Sequence, residues 1–216
     1  VGSRANDFSW SKEWFFAFRK ITDSRASART LISAVLPYAG AGDSLNILMP
    51  RDFSDSRLYA ALLGNLSSLV LDYVVRNKVG GLNLNYFAMR QFPVISPCSY
   101  GEVDLEFIVP RVLELSYTAV DLRKWAADLG YSGAPFSFDP DRRCCLQAEL
   151  DAYFACLYGL NRSELAFILD PESAKPGYPS ETFSVLKRYE LREFGEYRTK
   201  KLVLEAWDKL EQGELV

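Results

Sequence analysis

The sequence predicts an α+β fold, with a small mixed or antiparallel sheet and helices in the N-terminal part and a mainly α-helical C-terminal part. Three observations predict it. Short aromatic and apolar runs near the N-terminus are bounded by Gly and Pro, which is typical of strands. Apolar residues recur at steps of three and four from about Ser56, as on one face of a helix. From Glu102 onward almost every segment has a helical pattern.

Three strands are predicted in the first fifty residues. Residues 14–21 are aromatic, residues 29–37 are apolar and stop at Pro37, and residues 44–49 return after a glycine-rich turn at residues 40–43. Short apolar runs of this kind also suit a buried helix, because periodicity alone does not separate the two.

One helix is predicted from about Ser56 to Gly80-Gly81. Its apolar face contains Leu58, Leu62, Leu66, Leu69, Val70 and Tyr73. After the glycines we expect an extended Leu82-Asn83, a short helix over residues 86–90, and a Pro93/Pro97 segment that cannot continue as a helix.

Cap and stop residues divide the C-terminal part into further helices. Thr118 and Asp121 resemble a capping box, and Gly130 is expected to end that helix. Asn161 with Glu164 is a second cap of this kind. The remaining helices are predicted over residues 142–158, from Ser180 to Gly195, and over about 199–212, and residues 170–179 are predicted to be a loop or hinge.

Composition excludes several kinds of chemistry. The chain has no histidine, so it cannot itself form a Ser-His-Asp or Cys-His catalytic site. Its four cysteines include the adjacent Cys144 and Cys145 and no Cys-x-x-Cys spacing, which favours thiols in a reducing cytosol over disulfides or zinc. No apolar run approaches the roughly 20 residues that span a bilayer. Since the chain begins Val1-Gly2-Ser3, we interpret it as a fragment.

The charge is distributed unevenly, although the formal net charge is only −3. Residues 1–100 carry 11 Lys and Arg against 7 Asp and Glu, whereas residues 101–216 carry 14 against 21. A basic half beside an acidic half favours a side that faces a polyanion and a side that supports it. Ordinary scatter of charges is an equally good explanation on charge alone.

Three groups of residues are candidates for contact with nucleic acid. The candidates are Arg19, Lys20, Arg25, Arg29, Arg76, Lys78, Asn83 and Asn85. The first four place cations among hydroxyls on a connection between strands, which suits phosphate oxygens. The alternative for them is a solvated charged loop. Arg76 and Lys78 fall where a helix ends, a position that the helix dipole favours for cations whatever their function.

Asn83 and Asn85 alternate with leucines, which would put both amides on one face of a strand. An asparagine can pair bidentately with adenine. The alternative is local bonding of these side chains to the backbone of a turn. No carboxylate pair has a partner that would favour acid–base catalysis, so no catalytic residue is predicted.

Several stretches together resemble the C-terminal portion of large adenine-N6 DNA methyltransferases of bacterial restriction-modification and phage-defence systems. The first comprises Phe18-Arg-Lys-Ile-Thr22, Ala28-Arg-Thr30 and Val35-Leu-Pro37. The second runs from Leu71-Asp-Tyr73 through Arg76-Asn-Lys-Val-Gly-Gly-Leu-Asn83 to Gln91-Phe-Pro93. The third comprises Leu115-Ser-Tyr-Thr-Ala119, Asp141-Arg-Arg143, Ala148-Glu-Leu-Asp-Ala152, Leu157-Tyr-Gly-Leu160 and Gly195-Glu-Tyr-Arg-Thr-Lys200.

The resemblance implies a target-recognition region that binds double-stranded DNA and is not catalytic by itself. It implies residues 1–100 as the recognition-like α/β region and residues 101–216 as a helical supporting region. The Asn-Pro-Pro-Tyr or Asp-Pro-Pro-Tyr motif of such cores is missing here, so S-adenosylmethionine and the catalytic step would belong to the methyltransferase core of the same parent chain. The resemblance also implies a cytoplasmic protein. The alternative is a helical scaffold that docks the core or a partner subunit.

Overall fold

The computed structural model describes residues 10–50, 53, 55–178 and 182–215. It confirms the predicted α+β class, with a three-stranded antiparallel sheet near the N-terminus and a helical C-terminal part. The strands are β1 (Trp14–Arg19), β2 (Ser33–Pro37) and β3 (Leu45–Leu48), close to the three predicted segments. The sheet order is β2-β1-β3, so β1 is central, and five of its six residues are buried.

The predicted single helix over residues 56–80 is wrong, because two helices occupy this segment. They are α1 (Arg57–Leu66) and α2 (Leu69–Lys78), and they are bent by 55°. Ser68 makes the break: its backbone is extended, and its hydroxyl accepts a hydrogen bond from Leu71 N as an N-cap does. α2 ends at Lys78, before the two glycines.

The remaining helices follow in chain order. They are α3 (Tyr86–Met89), α4 (Glu102–Ser116), α5 (Arg123–Asp128), α6 (Pro140–Leu157), α7 (Arg162–Leu169), α8 (Pro171–Ala174), α9 (Ser184–Phe194) and α10 (Arg198–Glu211). Single 3₁₀ turns lie at Pro97–Ser99 and Val120–Leu122.

The predicted caps have mixed outcomes. Asn161 and Glu164 form the predicted capping box of α7, and Gly195 ends α9 at a φ of 74°, a conformation that glycine adopts without strain. The capping box predicted at Thr118 and Asp121 is wrong, because the 3₁₀ turn Val120–Leu122 has Ala119 at its N-cap and no side-chain cap. The predicted loop at residues 170–179 is also wrong in part, since α8 occupies its start. The predicted start of the helix that ends at Gly195, Ser180, lies outside the described residues.

The largest hydrophobic cluster joins the sheet to the helices on both sides of residue 100. Trp14 of β1 meets Trp125 of α5 with ring centroids 4.8 Å apart, and both side chains are fully buried. A second cluster lies among α2, α6, α7 and α10, and a third joins Phe18 of β1 to Leu71 of α2 and to Leu84. The largest cluster therefore contains residues of both the N-terminal and the C-terminal parts.

Three further observations concern the described residues as a whole. No single helix in the described ranges is long and apolar enough to cross a bilayer, although α1 and α2 together reach that length and composition. All four cysteines are free thiols, and Cys98 and Cys156 are exposed. No cluster of metal-ligating side chains occurs within the described part of the chain.

Candidate nucleic-acid interface

Asp72 and Arg76, one turn apart on α2, hold the connection between β1 and β2. Asp72 is 1% exposed and accepts hydrogen bonds from the backbone nitrogens of Thr30 (2.9 Å) and Leu31 (2.8 Å). Arg76 Nε donates to Asp72 Oδ2 at 3.0 Å. We call this pair and its bonds the α2 clamp.

The side chain of Arg76 is buried and hydrogen-bonded within the protein. Its guanidinium donates to four backbone carbonyls, those of Ser24, Ser27, Ala28 and Thr182, at 2.6 to 3.2 Å. It also lies over the ring of Phe183 at 4.8 Å, and its side chain is only 6% exposed. All five N–H groups of the guanidinium are therefore used, and the prediction that Arg76 contacts DNA is corrected by this geometry.

Arg29 is also used internally. Its Nη2 lies 3.3 Å from Oδ2 of the buried Asp151 on α6, and its Nη1 donates to the carbonyl of Ser67 at 3.0 Å. Burial raises the pKa of Asp151, while Arg29 and the backbone nitrogen of Leu69, which donates at 2.6 Å, oppose that shift. Part of the Arg29 side chain is thus used to pair a buried carboxylate, while the side chain remains 26% exposed, so its contact with a phosphate stays a prediction.

An exposed arginine lies within the segment that the α2 clamp holds. Residues 23–28, which we call the Arg25 loop, turn tightly because Asp23 accepts from the backbone nitrogen of Arg25 at 2.9 Å and its carbonyl accepts from Ser27 N at 2.9 Å. The side chain of Arg25 is 87% exposed and lies 3.7 Å from Asp23 Oδ1. The clamp thus fixes the backbone and leaves this cation facing solvent.

Arg19 and Lys20, at the end of β1, are half-buried. Lys20 Nζ lies 2.7 Å from Asp43 Oδ2, and Asp43 is 95% exposed. A pair this open to water contributes little to stability, so it can exchange for another anion at small cost. The Nε of Arg19 is buried and has no hydrogen-bond partner among the described residues.

The segment after α2 attaches to the end of β1 through one antiparallel bridge between Ile21 and Asn83. Thr22 N donates to Leu82 O at 3.0 Å, and Leu84 N donates to Lys20 O at 2.7 Å. Leu84 is fully buried in the third cluster and anchors the segment, whereas Asn83 is exposed. Bridge partners point to the same side of a sheet, so Ile21 and Asn83 face solvent together.

Asn85 has a local role. Its Oδ1 accepts from Ala88 N at 3.0 Å and caps α3. The prediction that Asn83 and Asn85 share one face of a strand is therefore wrong, because the chain turns into a helix at Asn85. The alternative of side-chain bonding to a turn is confirmed for Asn85.

Exposed apolar residues occur near Asn83 along the chain and across the bridge, and no sequence pattern singled them out. Ile21 is 59% exposed, Leu82 is 58% exposed, and Phe87 on α3 is 75% exposed. Lys78 lies at the exposed end of α2 and forms no ion pair with any described carboxylate. We call Ile21, Arg25, Lys78, Leu82, Asn83 and Phe87 the bridge surface. The signal available in the sequence was Phe87, an aromatic residue in the short helix Tyr86–Met89.

No protein-family model, curated protein or solved structure matches the chain. The resemblance to adenine-N6 methyltransferases therefore depends on the residues quoted for it.

Proposed function

We propose that this chain is the DNA-contacting target-recognition part of an adenine-N6 DNA methyltransferase, and that the bridge surface meets the duplex. The observation that carries the proposal is the Arg25 loop. Its backbone is fixed by the buried α2 clamp, while Arg25 at its tip is almost wholly exposed. A rigid scaffold that presents a cation on a fixed loop suits contact with a phosphate.

The neighbouring residues supply what base recognition needs. Lys78 adds a second cation, and the free amide of Asn83 can pair with the N6 and N7 of adenine. The ring of Phe87 offers an apolar surface to a thymine methyl or to an unstacked base. The net charge of −3 means that affinity has to come from this local cluster and not from the charge of the whole chain.

The proposal assigns no chemistry to this chain. Methylation requires the adenine to be flipped into a pocket of the methyltransferase core, which would also hold S-adenosylmethionine. The proposed contribution of this chain is to hold the surrounding DNA and read the site, within a restriction-modification or phage-defence enzyme of the bacterial cytoplasm.

The test is the salt dependence of duplex binding, measured by fluorescence anisotropy. Each phosphate contact contributes about 0.9 to the slope of log affinity against log salt. The double variant R25A/K78A is expected to lower the slope by about two. The matched control is R192A, because Arg192 is 74% exposed on α9 and is not part of the bridge surface. An unchanged slope in R25A/K78A would remove these residues from the DNA site.

A second candidate function is a module that docks the methyltransferase core or a partner subunit. The observation that favours it is the apolar part of the bridge surface, since protein interfaces have an apolar centre and a polar rim. F87S is then expected to weaken assembly with the core at all salt concentrations, whereas DNA binding falls as salt rises. Salt dependence therefore separates the two functions.

A further inference from the structure

A cleft of about 480 Å³ opens between β2, α1, α4 and α6. Its volume falls within the roughly 300–1,000 Å³ that is usual for small-molecule sites. None of the residues of the bridge surface lines it. The cleft is therefore separate from the proposed DNA interface.

The apolar wall of the cleft is aliphatic. It includes Leu31, Val35, Leu63, Val112, Leu115 and Leu150. No aromatic side chain lines the cleft among the described residues. Because nucleobases and other planar ligands are usually held by stacking on aromatic rings, this wall suits an alkyl chain better than a flat ring.

Arg143 of α6 supplies an unpaired charge. It lines the cleft, and its guanidinium lies over the ring of Phe138 at 4.8 Å. Its guanidinium forms no hydrogen bond or ion pair with any described residue. Arg29 also lines the cleft, but its charge is matched by Asp151. The cleft therefore has one cation available to a ligand.

Neutral polar residues complete the lining, and two of them, Ser33 and Gln147, lie on the walls of the cleft that β2 and α6 form. Ser33 Oγ, on the β2 wall, is buried and has no hydrogen-bond partner in the described part of the chain. Gln147 lies one turn along α6 from Arg143 and is exposed. A buried hydroxyl without a partner is unusual in a folded protein, and a ligand that bonds to it would remove the cost of leaving it unsatisfied.

We propose that this cleft binds a small aliphatic monocarboxylate. The alkyl chain would lie against the leucine and valine wall, and the carboxylate would pair with Arg143. A guanidinium matches a carboxylate with two parallel hydrogen bonds, which makes arginine the usual partner for this group. A single free cation also matches a single negative charge, whereas a nucleotide phosphate chain would need several.

The experiment is a titration of the folded chain with sodium octanoate, followed by amide and methyl NMR. The resonances of Ser33, Leu115 and Gln147 are expected to shift together, with a Kd of about 1 mM or tighter. R143Q is expected to weaken octanoate binding about tenfold or more, because the charge-assisted bonds are lost. Arg192→Gln is the matched control, since it removes an exposed arginine outside the cleft, and it should leave the Kd unchanged.

1-Octanol tests the role of the charge. It has the same alkyl chain but no charge, so the wild type should bind octanol at least about tenfold more weakly than octanoate. R143Q should bind octanol at least as tightly as the wild type does. Leu115→Trp should fill the cleft, and a folded variant with an unchanged circular dichroism spectrum should lose octanoate binding.

Three results would overturn the proposal. The first is the absence of shifts at the cleft up to about 10 mM octanoate. The second is equal binding of octanoate by the wild type and R143Q. The third is equal affinity of the wild type for octanol and octanoate.

Discussion

Buried charges in this protein are paired, and the pairs determine which cations remain available for binding. Arg76 directs five N–H donors at Asp72 and four carbonyls, and Arg29 neutralises Asp151. Arg25, Lys78 and Asn83 have no such role. The residue types of the predicted interface could be identified from the sequence. Their partners could not, because Asp72 lies 42 positions from Thr30 and Asp151 lies 122 positions from Arg29.

Replacement of Arg76 by alanine separates the structural role from the binding role. R76A leaves the carboxylate of Asp72 buried without its counter-charge and removes the bonds that hold the Arg25 loop. The free energy of unfolding should therefore fall by about 3–5 kcal/mol. R25A should change the free energy of unfolding by less than about 0.5 kcal/mol, because its side chain is exposed. Urea unfolding of both variants measures this. Equal stabilities of the two variants would contradict the assignment of Arg76 to the clamp.

Asp170 gives a prediction about pH. Burial alone would raise its pKa, but hydrogen bonds from Lys187 and Lys200, each at 2.8 Å, outweigh burial and lower the pKa below 3.8. A lowered folded-state pKa contributes stability above the pKa of the unfolded chain, and this contribution is lost as the pH falls through the folded-state pKa. At pH 7, D170N should therefore be less stable than the wild type by about 1–3 kcal/mol.

The difference between D170N and the wild type should shrink as the pH falls below about 4, where Asp170 becomes protonated in the unfolded chain. It should vanish only below the lower folded-state pKa, where Asp170 is protonated in both states. Urea unfolding at several pH values checks this. A difference that stays constant down to the acid limit would show that the charge of Asp170 is not what matters.

At the scale of elements, local chemistry was predictable and tertiary arrangement was not. The aromatic run at residues 14–19 and the Asn161 cap follow from residue type and spacing. The break between α1 and α2 could not be predicted, because Leu66 and Leu69 continue the helical spacing across it and both are buried. The order β2-β1-β3 was also not predictable, since it depends on which apolar faces of the strands pack against the helices.

The break between α1 and α2 depends on Ser68. Its hydroxyl accepts from Leu71 N and donates to Asn65 O at 2.9 Å, and the side chain is buried. S68A should therefore lower the free energy of unfolding by about 1 kcal/mol, the usual cost of losing an N-cap. S67A is the matched control, because the neighbouring Ser67 is exposed and no hydrogen bond of its hydroxyl contributes to the cap. Thermal unfolding that gives equal losses for the two variants would contradict this role.

At the scale of the whole molecule, part of the charge asymmetry is used inside the protein. Basic residues of the first half pair with acidic residues of the second, as in Arg29 with Asp151, Arg57 with Glu102, and Lys12 with Asp128. Opposite charges in the two halves therefore help to hold them together. The sequence showed the asymmetry but not this use of it, because the pairing partners are brought together only by the fold. The bridge surface holds the cations Arg25 and Lys78 that remain exposed there.

Hydrogen exchange of the chain with and without a specific DNA duplex would locate the DNA contact without any substitution. Binding through the bridge surface should slow exchange at residues 21–27 and 77–88 and leave α9 and α10 unchanged. Protection confined to the C-terminal helices, or equal exchange everywhere under conditions where the duplex is bound, would exclude the bridge surface as the DNA contact.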